Sequence, residues 1–103
     1  MNQQFPELHD FFGAYFHQDW PVEYQTAEQA LDAFLSESDL EILKIVLQEL
    51  DVLLKQRKAE CEMKEYLLSE LSCYYSYWTV WETSEAWLCH IACRIARKIN
   101  PIG

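Results

Sequence analysis

Four cysteines and three histidines are the residues of this chain with the widest chemical range, and two groupings draw attention. Cys89 and Cys93 stand four apart and would share one helix face. His90 between them is turned by about 100° and lies beside Arg94, whose charge opposes a bound cation. Structural zinc motifs use paired C-x-x-C or H-x₃-H spacings, and here a fourth ligand would have to come from Cys61, Cys73 or a distant histidine. No metal and no cofactor is expected. A catalytic thiol is equally unsupported, because no glycine-rich turn or helix N-terminus presents any cysteine in an activated setting. The second grouping sets His9 beside Asp10 and His17 near Asp19, which invites a general acid–base reading. Adjacent helical residues point apart, however. With only Gly13 and Gly103 as glycines there is also no phosphate cradle or nucleophile elbow. Catalytic residues and a small-molecule substrate are therefore not expected. Trp78, Trp81 and Trp87 read as core or rim. Trp20, between Asp19 and Pro21, is placed to anchor an interface.

The elements that must position these residues are helical. The organising stretch is Asp39 to Gln56, in which Glu41, Lys44, Gln48, Asp51 and Lys55 make one polar stripe and apolar residues cover roughly two-thirds of the circumference. Ser38 with Glu41 has the form of a capping box, and Lys55, Arg57 and Lys58 gather at the negative end of the helix dipole. Pro6 opens a first helix of 6–17 with Leu8, Phe11, Phe12, Tyr15 and Phe16 inward, and Gly13 and Ala14 on a face that another backbone could approach. Pro21 turns QDWPVEYQ into an acidic aromatic loop. Thr26 and Gln29 box the start of a helix over 27–36, which joins the central helix through a sharp turn. A fourth helix spans 60–71 with a Glu60–Lys64 pair. Residues 72–83, SCYYSYWTVWET, have the composition of a strand but no second strand to pair with, so they predict an extended connection over the bundle. Thr83 or Ser84 caps a last helix over 84–99, with His90, Arg94 and Arg97 outward. The fold class is all-α, one compact domain over 1–103 of about five helices around the central helix 39–56.

The formal net charge is −9, and all of that excess lies before Lys44, the first basic residue. Such a surface repels nucleic acid and anionic lipid and speeds encounter with a basic partner, although acidity also serves solubility alone. Neither direct nucleic-acid binding nor membrane association is expected. The chain starts without a basic and then apolar leader, and no apolar run approaches the ~18 residues of a membrane span. A cytoplasmic location follows as the expectation, with thiols that stay reduced and behave as core residues.

At FPELHDFFGAYFHQDW (Phe5 to Trp20) the chain resembles a family of bacterial contact-dependent growth inhibition immunity proteins. YQTAEQALDAFL (Tyr24 to Leu35), ELDVLL (Glu49 to Leu54), LSCYY (Leu71 to Tyr75) and the Trp87-Leu88 pair follow that family's pattern in order. Two departures stand out: Ser72 occupies a position usually glycine, and SYWTVWETS replaces a Pro/Gly-containing loop. The resemblance implies a small helical cytosolic protein that is not an enzyme. Its partner would be the C-terminal toxin domain of a large exoprotein, commonly a basic nuclease, with the acidic residues taking the electrostatic place of nucleic-acid phosphates. Asp10, Asp19, Trp20 and Glu23 are then the expected toxin contacts, with Glu28 and Asp32 adding longer-range attraction. Two other classes remain open: a non-enzymatic acidic helical adaptor or regulatory domain for another basic protein, and a small enzyme built on the His–carboxylate pairs.

Overall fold

Residues 5–17 and 20–100 are described by the computed structural model, the side chain of Glu23 excepted; Asp19 lies outside the described residues. Six α-helices follow in order: α1 (Pro6–Tyr15), α2 (Trp20–Glu23), α3 (Ala27–Glu37), α4 (Leu40–Lys55), α5 (Glu60–Ser69) and α6 (Ser84–Ile99), with a 3₁₀ turn at Tyr77–Thr79. No strand occurs among the described residues. The all-α architecture expected from the sequence is the one observed. The additional helix is α2, the stretch expected to be an open loop. Pro21 there sits in the first turn of a helix, where a missing N–H leaves no bond unmade.

The long helix α4 packs against both α1 and α6. Its fully buried residues are Leu43, Val46, Leu50 and Leu53, a single stripe at intervals of three and four. This is narrower than the apolar arc of the sequence: Ile42, Leu47 and Leu54 are half-buried, while Leu40 and Val52 are exposed. Around that stripe close Leu8, Phe11 and Phe12 of α1 and Trp87, Leu88, Ile91 and Ile95 of α6. Trp87 is the hub of an aromatic cluster, 5.7 Å from Phe12, 5.5 Å from Phe16, 4.8 Å from Tyr75 and stacked at 5.8 Å on Tyr77. Rings meeting tilted, edge-on or stacked add to the area they bury.

Helix starts follow the sequence unevenly. Thr26 Oγ1 accepts from the Gln29 N–H and Thr83 Oγ1 from the Ala86 N–H, as expected of caps. The Gln29 side chain reaches back to Gln25 rather than to Thr26. The cap of α4 is Asp39, whose carboxylate takes the Ile42 N–H at 3.0 Å, so the Ser38–Glu41 box is corrected. Two helices are capped from across the molecule. The Glu49 carboxylate, on α4, accepts from the Leu8 N–H at 2.8 Å and the Glu7 N–H at 3.4 Å at the start of α1. Glu60, opening α5, takes the Ser84 N–H and hydroxyl at the start of α6 and the Tyr77 hydroxyl at 2.5 Å. The expected Glu60–Lys64 pair is therefore not made.

The connection 70–83 is irregular apart from its one 3₁₀ turn, and it forms no strand. Cys73 N–H donates to Leu67 O and Tyr74 N–H to Phe16 O, both at 2.8 Å, which ties it to α5 and to the end of α1. Ser72 enters it at φ 57°, a left-handed conformation that costs an L-residue without glycine's freedom.

Candidate functional site

The tethers to α1 and α5, with Glu60, fix the path of 73–81, and its side chains lie alternately inward and outward over 73–78. Tyr75 and Tyr77 are buried, while Trp78 is 50 % and Val80 70 % exposed. Facing them is α2. The Trp20 N–H donates to His17 O, and the indole, half-buried, meets Tyr75 edge-on at 5.5 Å. Val22 on the next turn is 85 % exposed. Between Trp20, Tyr75, Val80, Trp81 and the start of α3 at Gln25 to Glu28 lies a groove of about 350 Å³. A second groove opens on the other side of Tyr75, toward α5.

The first groove is edged by an ion-pair cluster that links α3 to α6. Glu28 receives His90 Nε2 at 2.8 Å and Arg94 at 2.5 Å, and Arg94 also reaches Asp32. Trp81 lies 5.0 Å from the His90 ring. Two of the acids counted as unopposed along the sequence are thus opposed in space by Arg94, more than sixty residues away. Burial, helped by the Glu28 charge, pushes the Tyr75 hydroxyl above its ordinary pKa, while the hydrogen bond its oxygen accepts from the Trp81 indole pulls the other way.

The expected contact residues are only partly brought together. Trp20 and Glu28 share the groove, and Asp32 stands on α3 beside it through Arg94. Asp10 is on the outer face of α1, 76 % exposed by side chain, with its carboxylate 3.7 Å from His9 Nδ1. Glu23 closes α2. Tyr75, Val80 and Trp81 line the same groove and were not among the expected contact residues, although Val80 and Trp81 lie in SYWTVWETS, the next candidate surface offered by the sequence. Their signal was the aromatic density of 72–83 together with its lack of a strand partner.

The His9 pair has a third member, since His9 Nε2 stands 3.3 Å from Ser72 Oγ. The order Ser72, His9, Asp10 imitates a nucleophile relay. A 3.7 Å separation is beyond a hydrogen bond, though, and an exposed Asp10 cannot hold the ring against water. The contact fastens the strained Ser72 to α1. Of the cysteines only Cys73 is buried, its thiol pushed up to about 12 by that burial and so unreactive. Cys61, Cys89 and Cys93 are exposed, which corrects their assignment to the core. Among the described residues no three Cys, His, Asp or Glu side chains converge as metal ligands, and no helix is long and apolar enough to cross a membrane. A Cβ built on Gly13 meets nothing within 4 Å, so none of the described residues packs against the helix at that position.

Two comparisons bear on these surfaces. A family model described as CdiI immunity protein matches residues 4–95. A chain in the crystal structure of a CdiA-CT/CdiI complex from Y. kristensenii is similar at 31 % identity and a TM-score of 0.87, covering 93 % of this chain and 97 % of that one. No curated protein matches.

Proposed function

The chain belongs to the CdiI immunity protein family, and from that membership we propose that it binds and neutralises the toxin domain of a contact-dependent growth inhibition exoprotein without catalysing a reaction. The observation that carries this reading is the likeness, over almost the full length of both chains, to a chain of a CdiA-CT/CdiI complex. The toxin domain is proposed to be basic, as a nuclease would be. The −9 net charge supports this, because an acidic inhibitor is drawn to a surface built to hold phosphates.

The proposed contact surface keeps Asp10, Asp19, Trp20 and Glu23, and extends along the groove to Val80 and Trp81. An indole that shares its groove with exposed Val80 offers the apolar anchor that charged contacts lack. Glu28 and Asp32 remain part of it. Since Arg94 and His90 already share their charge, their effect on association rate is smaller than that of two free carboxylates.

The test is to purify the chain with the toxin domain encoded directly upstream of its gene, and to express both in sensitive cells. Stable 1:1 association and restored growth are expected. A chain that neither binds that domain nor protects cells is not its inhibitor, and the acidic adaptor reading replaces it.

A further inference from the structure

Of the seven large apolar side chains that stand exposed among the described residues, four fall between positions 68 and 80: Leu68, Tyr74, Trp78 and Val80. Exposed apolar residues scattered singly need no explanation, but a contiguous group marks an interaction site. Three of these four, Leu68, Tyr74 and Trp78, line the second groove, about 300 Å³ between α5 and the aromatic connection, whose floor includes buried Leu67 and Cys73. That volume is at the lower end of the roughly 300–1,000 Å³ of small-molecule sites and suits a side chain better than a cofactor.

The groove also shows which kind of side chain it holds. Lys64 Nζ lies 3.9 Å from the centre of the Trp78 ring, so the indole face is already occupied by a cation of the chain itself. Glu65 lines the same groove, and its carboxylate has no partner among the described residues. An apolar floor, an aromatic face and a carboxylate in the lining match the stem, plane and fork of an arginine. Lys64 is exposed on a flexible stem and can swing into water, leaving the indole to a guanidinium that stacks better than an ammonium does.

We propose that this groove receives an arginine of the toxin domain, with Trp78 stacking on the guanidinium, Glu65 pairing with it and Lys64 as the internal cation it displaces. The proposal rests on the toxin-binding reading above and adds a second contact area on the far side of Tyr75. The match is local: Lys64 already shows that the indole face takes a cation, and Glu65 remains in the lining to pair with the arginine once Lys64 has left.

The experiment measures association and dissociation rates of the full chain with its cognate toxin domain, for wild type and for Trp78→Ala, Trp78→Phe, Glu65→Gln and Lys64→Ala. Trp78→Ala is expected to weaken binding by about tenfold or more through faster dissociation, and Glu65→Gln by about threefold to tenfold. Trp78→Phe should retain part of the affinity, because a ring remains. Lys64→Ala should bind as tightly as wild type or more tightly, since a competing cation is gone. Helicity and melting temperature are recorded for each. Should Trp78→Ala fail to fold, Glu65→Gln and Lys64→Ala decide alone, both being surface changes. Weaker binding by Lys64→Ala would mean that the groove takes an anion, and the proposal falls. Unchanged rates for Trp78→Ala and Glu65→Gln, while wild type binds, overturn this groove and leave the function intact. A wild type that does not bind the toxin removes both.

Discussion

Replacing Glu60 by alanine tests the link between the fold and the proposed surfaces, since this one carboxylate joins α5, the aromatic connection and the start of α6. It accepts from the Tyr77 hydroxyl, the Ser84 N–H and the Ser84 hydroxyl. Tyr77 and Ser84 are 1 % and 2 % exposed, so these donors have little water to turn to. A buried donor left without acceptor costs about 1–3 kcal/mol, but the site is open on the Glu60 side and water will satisfy part of the loss. The expected cost is about 2–4 kcal/mol. For a domain of this size that lowers the melting temperature by roughly 10–30 °C, read by circular dichroism and urea unfolding. Glu60→Gln retains an acceptor oxygen and should cost only about 1–2 kcal/mol. The pH dependence gives a second readout. Burial raises the Glu60 pKa, but the hydrogen bonds from Tyr77 and Ser84 and the nearby Lys64 charge outweigh it and hold it below its ordinary 4.5. As pH falls, the unfolded carboxyl takes up its proton first. The stabilisation is therefore complete above pH 4.5 and lost as pH drops through the folded value. Glu60→Gln should flatten that acid limb. An alanine variant within about 0.5 kcal/mol of wild type, the usual scale of an unremarkable surface change, would refute the hub role.

Further tests address the core, the helix ends and the second remote cap. Leu50→Ala, a fully buried truncation on the α4 stripe, should cost about 2–5 kcal/mol by urea unfolding, and half-buried Leu47→Ala distinctly less. Arg57 follows α4 at φ 52°, where glycine is the favoured residue, so Arg57→Gly should raise stability by about 1 kcal/mol and the melting temperature measurably. Glu49 is shifted the opposite way to Glu60: burial raises its pKa and outweighs the bonds from Leu8 and Glu7, so its share of stability is full below its ordinary 4.5 and declines as pH rises through the folded value. Glu49→Gln, which keeps an acceptor without the charge, should consequently lie within about 1 kcal/mol of wild type at pH 7.

Features set by neighbours in sequence were legible: the five amphipathic helices, the Thr26 and Thr83 caps, the connection without a partner strand. Features set by approach in space were not. Glu49 and Glu60 are ordinary acids on helices until one knows which helix start each faces, more than twenty residues away in both cases. The width of the apolar arc on α4 misled for the same reason, because α1 and α6 cover one stripe and leave Val52 to solvent. Pro21 was read as a break, although at the start of a turn it fits a helix as well as it ends one.

Ser72 joins both kinds of information. The resemblance predicts glycine there, and φ 57° is a conformation glycine adopts without strain. Serine in its place gains a contact with His9 Nε2 that a glycine could not make, and the residue directly after it opens the segment that forms the proposed binding surfaces. The two terms oppose each other: about 1–2 kcal/mol for the left-handed backbone, against about 1 kcal/mol for the hydrogen bond and the unfolded-chain entropy that glycine adds. Ser72→Gly should therefore be close to neutral, whereas Ser72→Ala keeps the strain, loses the bond and should be destabilised by about 1 kcal/mol relative to wild type. A thermal melt that ranked alanine above glycine, two variants that both lack the His9 contact, would show that the left-handed strain at this position is smaller than the entropy glycine adds, and an alanine variant as stable as wild type would show that the contact contributes nothing.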